Sequence, residues 1–310
     1  MVVGMVLGSG CDYPELPELL TAPGCQGLPA TCGPSSADDC CNPGSAMPGG
    51  TYYRSYDVAG VSSSGNTSYP ATVSTFRLDK YEVTVGRFRA FVNAGKGTQA
   101  SPPVSGAGAH AAIAGSGWNT SWNTSLTADK AALIAAVKCG ASYQTWTDDS
   151  PGANEARPMN CITWYEAMAF CIWDGGYLPT EVEWNYAATG GSEQRAYPWS
   201  SPAGSLSIDA TRANYSSTSG AIPVGAKSAG DGRWGQSDLA GNVWEWTLDW
   251  YRTYVTSCSD CAQVESGTSR VIRGGSFNSA PANLRAGYRG YDLPPAYRNN
   301  YIGVRCARTP

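Results

Sequence analysis

Charge is what this chain has least of. Charged residues fill 15% of its 310 positions, against roughly a quarter in ordinary globular domains. Lys and Arg are scattered and the net charge is -4, so no basic stripe exists to neutralise a phosphate backbone, and nucleic acid is excluded as a partner. Histidine is scarcer still. His110 is the only one, so a Ser-His-Asp or Cys-His set would have to be built in its Gly/Ala-rich loop, where a solvated side chain is expected. HExxH, P-loop and G-x-S-x-G strings are absent. The one G-x-G-x-x-G match, Gly230 to Gly235, lacks the strand-then-helix setting of a dinucleotide site. No run of about 20 apolar residues is present to span a membrane as a helix.

What the chain does have is 37 Gly, 18 Tyr, 11 Trp and 11 Cys, which predicts a loop-rich fold pinned by aromatic packing and cross-links. In a reducing cytosol so many thiols would bind metal or react; in an oxidising compartment they pair. Zinc is the poorer use, because the close pairs Cys40-Cys41 and Cys258-x-x-Cys261 do not make a four-ligand set. Disulfides and an extracytoplasmic location (secreted, periplasmic or cell-surface) are therefore expected. Spacing suggests Cys139 with Cys161 and Cys258 with Cys261, while the pairing among Cys25, Cys32, Cys40 and Cys41 stays open. The first ten residues, MVVGMVLGSG, are small and apolar and end at Cys11, which resembles a truncated signal with a lipoprotein-like processing site and makes Cys11 a possible lipid anchor.

Residues 1–50, with five cysteines among Pro, Gly, Ser and Asp, read as a Cys-rich tether, and residues 51–310 as one domain. Short β-like runs, TYYRSYDV and ATVSTFRLDKYEVT, precede an amphipathic helix that Thr84 caps and Gly95 stops. Further helices are expected over Ala128 to Lys138, over Thr163 to Trp173, and from Thr180, where Glu183 stands at capping-box spacing. Beyond Ala187 the chain is mostly Gly, Ser, Asn and aromatics with brief strand signals such as SRVIRGG. A few helices amid much irregular chain predict an α+β fold.

Five strings carry more information. W-Y-E-A-M-A-F-C (164–171), L-P-T-E-V-E-W-N-Y-A (178–187), L-A-G-N-V-W-E-W-T-L-D-W-Y (239–251), R-G-G-S-F (273–277) and I-G-V-R-C-A (302–307) occur in that order. Together they resemble the formylglycine-generating-enzyme (sulfatase-modifying-factor) domain, a variant of the C-type-lectin fold, over roughly residues 50 to 308. The resemblance implies a disulfide between Cys171 and Cys306. It also implies a structural calcium site in the turn before N-V-W-E-W, with carboxylates from Asp238 and Glu245 and backbone carbonyls from Gly241 and Val243, since hard oxygen donors suit Ca2+.

One departure from the family pattern bears on function. In catalytic members two cysteines after R-G-G-S bind copper and activate oxygen; the matching positions here are Ser279 and Leu284, which cannot replace thiolates on Cu(I). Copper and formylglycine chemistry are not expected. What remains is a Tyr/Asn/Arg-rich stretch, 277–301. Asn278, Tyr288, Arg289, Tyr291, Asp292, Tyr297, Asn299 and Tyr301, joined by the family active-site positions Trp244 and Ser276, form an expected ligand surface for a protein, peptide or glycan. The stretch resembles the variable segment of retroelement-diversified ligand-binding proteins on this fold. The bland alternative is that these side chains only pack an irregular end. The expected function is thus a non-catalytic binding module; the alternatives are an enzyme of the family with a non-standard active site and a purely structural envelope role.

Overall fold

Side-chain caps start the helices. Thr84 accepts from the Arg87 amide and opens α1, Val85–Asn93, and Gly95 just beyond it takes φ +67°. Asp129 opens α2, Lys130–Ala136, so this helix is shorter at both ends than the apolar period suggested. Thr163 and Glu166 form a capping box for α3, Trp164–Trp173, and Thr180 and Glu183 form another for α4, Glu181–Thr189. Such a cap contributes about 1 kcal/mol. The computed structural model describes residues 22–60, 66–254 and 257–310, and of positions 291 and 292 the backbone only. Cys11 and the apolar start lie outside the described residues, as do the side chains of Tyr291 and Asp292.

Short strands assemble into three sheets. β1 (Ala46–Met47) and a late strand, β10 (Ala307–Arg308), flank β4 (Phe76–Leu78). β2 (Gly50–Tyr53), β3 (Pro70–Val73) and β6 (Cys258–Ser259) form the second. The third orders β8 (Gly290–Leu293), β7 (Arg270–Arg273), β5 (Trp244–Trp250) and β9 (Ile302–Gly303), with β5 antiparallel to β7 and parallel to β9. α3 is apolar almost all round because it is sandwiched: Phe170 stacks on Phe88 of α1 at 5.7 Å, while the Trp164 indole donates to the Thr247 carbonyl of β5 at 2.8 Å. Each fully buried Phe here is worth about 1.5–3 kcal/mol in apolar area withdrawn from water. Arg270 lies between the faces of Trp164 and Trp250, at 3.6 and 3.5 Å, and burial pushes its pKa down to about 9.

All ten described cysteines are paired: Cys25–Cys41, Cys32–Cys40, Cys139–Cys161, Cys171–Cys306 and Cys258–Cys261. The described part of the lead-in, residues 22–50, lies against the domain. The Gly24 amide donates to Asp174, Tyr81 donates to Asp38, and β1 completes a sheet. A buried four-membered ion cluster closes the chain's far end, with Arg87 and Arg308 each bridging Asp79 and Asp174 at 2.6–3.1 Å. Two cations against two anions leave no uncompensated charge inside, which is the condition for tolerating it there. Among the described residues no helix is long and apolar enough to cross a membrane.

Candidate functional site

The site forms where β7 hands the chain to the Tyr-rich stretch. After Arg273 the backbone turns through Gly274 and Gly275, at φ +97° and +77°. A Cβ on Gly275 would stand 2.7 Å from Leu284, so the turn demands glycine twice over. It delivers Ser276 into the interior and Asn278 to the surface. On the other side, residues 294–301 are pinned to the start of α3: the Trp164 amide donates to Pro295, the Cys161 amide to Asn299, and the Asn160 side chain to Asn300. Arg298 pairs with Glu166, the same carboxylate that closes the α3 capping box. Trp244, at the start of β5, donates its amide to the Tyr301 carbonyl at 2.8 Å.

Between these walls lies an open cavity of about 300 Å3, lined by Trp244, Ile272, Asn278, Tyr288, Gly290, Leu293 and Tyr301. Trp244 and Tyr288 meet at 5.9 Å with their rings tilted by 46°. Gly290 keeps the floor open, since a Cβ there would lie 2.6 Å from Ile272 and 2.9 Å from Trp244, both lining residues. The Ser276 hydroxyl donates to the Asn278 side-chain oxygen at 2.7 Å, leaving the amide NH2 for other partners. The Tyr301 and Tyr297 hydroxyls are 3.3 Å apart, and Asn299 donates to Tyr297. Burial, then the Tyr297 hydroxyl, push the Tyr301 phenol up to about 12, so it keeps its proton at any physiological pH.

Two residues expected on this surface are not on it. Ser276 is fully buried, bonded through its amide and hydroxyl to Ser279. Arg289 is 8% exposed and turned inward, donating to Glu181 at 2.6 and 2.8 Å and lying over the Tyr251 and Tyr254 rings. The reason is charge. Glu181 is buried at the start of α4 and also takes Arg273 at 2.7 Å, and a carboxylate in that position needs cations around it. Burial works to raise Glu181, but Arg289 and Arg273 outweigh it and bring it down to about 2. Arg273 in turn donates to the Tyr288 carbonyl at 2.7 Å, which fixes the cavity wall from behind. Ile272, Gly290 and Leu293 were not singled out in the sequence; the strand signal over SRVIRGG was the only hint of the first.

The turn read as a calcium site is engaged within the protein. Both Glu245 oxygens receive Arg305, at 2.7 and 2.8 Å, and one also receives the Trp184 indole at 2.7 Å. Asp238, at φ +58°, accepts from the Gly225 amide. Gly241 stands at φ +95°, and the Val243 amide donates to Glu82. Glu82 is held well above the usual carboxylate range by burial and by the neighbouring charges of Asp238 and Glu245, and its oxygens accept from the Asn242 side chain and the Val243 amide. A cation binding through Glu245 would have to displace the Arg305 guanidinium and the Trp184 indole, so Glu245 as folded does not fit the role of a calcium carboxylate. Among the described residues no three acidic, histidine or cysteine side chains gather as a metal centre. Of the two positions expected to replace copper thiolates, Ser279 is bonded to Ser276, and Leu284 is buried with Tyr197, Trp199, Ala213 and Ala240.

Residues 38–310 match the sulfatase-modifying factor enzyme 1-like domain. A hercynine oxygenase of Mycolicibacterium smegmatis is 30% identical over 279 residues, covering 84% of this chain and 60% of that protein, so the chain spans less than two thirds of that relative. The formylglycine-generating enzyme of Thermomonospora curvata is 30% identical over 298 residues, 86% of this chain and 93% of that one. Among solved structures, PvdO from Pseudomonas aeruginosa shares the fold with a TM-score of 0.61, at 20% identity, over 91% of this chain and 99% of its own. With the matched span covering nearly all of the described residues, the chain belongs to the sulfatase-modifying factor enzyme 1-like family, that of the formylglycine-generating enzymes.

Proposed function

We propose that the protein is a non-catalytic binding module of this family, working outside the cytoplasm and contacting its ligand through the cavity between Trp244 and Tyr301. The observation that carries this is the cavity's lining: among the described side chains it has aromatic and aliphatic walls, one amide at the rim, and two phenols as its only titratable groups. Concave apolar surfaces with a few placed polar groups are where ligands are held. Tyr and Trp contribute large contact area at little cost in rotamer entropy.

Cysteine chemistry supports the same reading. Cu(I) is held by soft thiolates, and the ten described cysteines are spent in disulfides. The hydroxyl of Ser279 and the apolar side chain of Leu284 offer no substitute. Five disulfides also support an oxidising compartment, and a lipid-bearing Cys11 would hold the module at a surface.

The test is a selection from displayed peptide and glycan libraries, run in parallel on the wild type and on the Tyr288→Ala/Tyr301→Ala variant. Ligands that lose at least tenfold in affinity on the variant support the cavity as the binding site; ligands held equally by both proteins would refute it. The second reading, an enzyme with a non-standard active site, is favoured by the names of the two relatives. It requires turnover that survives these cavity substitutions or depends on an added metal.

A further inference from the structure

We infer that the cavity seats a neutral saccharide unit, its ring face over Tyr288 beside the edge of the largely buried Trp244 and its hydroxyls at Asn278 and the Tyr297–Tyr301 pair; this rests on the binding-module reading above. Shape is the first ground. The cavity is an open bowl of about 300 Å3 whose floor and sides are Trp244, Ile272, Tyr288 and Leu293. An open apolar platform suits a flat body with one apolar face, whereas a hydrophobic side chain gains most where it is enclosed on all sides.

The hydrogen-bonding inventory is the second ground. Asn278 has its oxygen committed to Ser276, so it presents N–H donors. The Tyr297 and Tyr301 hydroxyls share one contact, and two phenol protons in one contact leave one O–H unspent. The rim therefore asks for neutral acceptors beside an apolar face, and a sugar ring supplies both, with its C–H face and its hydroxyl and ring oxygens.

Charge is the third ground, and it decides against the other occupants of an aromatic bowl. A Trp–Tyr wall attracts ammonium groups, but behind Tyr288 two guanidiniums, Arg273 and Arg289, face one ionised carboxylate, Glu181. The next acid, Asp249, accepts the Glu181 amide and is pushed up to about 7 by burial, so it offsets that positive excess only in part. Among the described side chains this balance disfavours a cation in the bowl. An anion finds no cationic side chain among the lining residues, and both buried guanidiniums are spent on Glu181 and on backbone carbonyls.

The experiment offers the full, non-reduced chain an array of neutral oligosaccharides ending in glucose, galactose or mannose. Sialylated and sulfated glycans, tetramethylammonium and a random peptide library are tested alongside. Asn278→Ala and Tyr301→Phe serve as probes; the second keeps the ring and removes only the hydroxyl. The expected result is saturable binding to a neutral oligosaccharide, weakened about threefold to tenfold by each substitution, with thermal midpoints unchanged. Cavity-dependent binding confined to charged glycans, to tetramethylammonium or to peptides would overturn the saccharide assignment and leave the binding-module reading standing. If neither substitution weakens binding to any probe, both are overturned.

Discussion

Glu181 carries two guanidiniums at once, and through Arg273 it fixes a cavity wall that it does not itself line. Because its folded pKa is lowered, to about 2, its contribution to stability is present above its ordinary value and is lost as pH falls through 2. Glu181→Gln leaves two buried guanidiniums without a counter-charge and is expected to cost about 3–5 kcal/mol. Chemical denaturation should show this as a lowered midpoint, with ligand binding weakened as well. Asp249 behaves in the opposite way. Burial raises it to about 7, so its contribution is complete below its unfolded value and is lost as pH rises through 7. The thermal midpoint of the wild type should therefore decline between pH 5 and pH 8, and Asp249→Asn should flatten that slope. Calorimetry across the window checks it; an unaltered slope in the variant would contradict the assignment. Neither group was legible in the sequence as more than a motif letter, because what shifts them is burial against residues distant along the chain.

At the level of elements, the capping boxes do two jobs. Glu183 closes the box of α4, accepts the Tyr177 hydroxyl at 2.6 Å, and faces His110 Nε2 at 3.4 Å. His110 was expected to be solvated; instead it packs edge-on against Tyr177 at 5.3 Å. Among the described residues this is the only polar contact that residues 102–117 make beyond positions 98–118. His110→Ala should therefore loosen the loop without unfolding the domain. Limited proteolysis is expected to cleave within 102–117 faster in the variant, while the thermal midpoint falls by only a few degrees. Helix starts were readable because Thr84, Thr163 and Thr180 announce themselves beside apolar periods. β5 was readable only as part of a motif: six of its seven residues are buried, and a strand covered on both faces has no period-two pattern to read. His110 was misjudged because a Gly/Ala-rich loop carries no sign of the helix cap it meets.

Over the whole molecule, cross-links and ion clusters hold together a chain with little regular structure. Cys171–Cys306 joins α3 to the residue just before the last strand across 135 positions, and a loop of that length corresponds to about 5 kcal/mol on the chain-entropy model. The paired substitution Cys171→Ala/Cys306→Ala should cost up to that amount, read as the shift of the denaturation midpoint against the intact protein. Family membership was legible from five short strings. The docking of residues 22–50 was not, since it rests on scattered backbone and side-chain hydrogen bonds to residues distant along the chain and on a two-residue strand. Half of the candidate site could be anticipated from its aromatic and amide content. The inward turn of Arg289 could not, because it is set by Glu181 across the fold. The central claim, that this fold binds but does not oxidise at the family's copper position, is tested most directly by mass spectrometry. Purified, Cu(I)-treated protein is incubated with a sulfatase-type Cys-x-Pro-x-Arg peptide. The account predicts unconverted peptide at every copper concentration, and copper-dependent formation of formylglycine would contradict it.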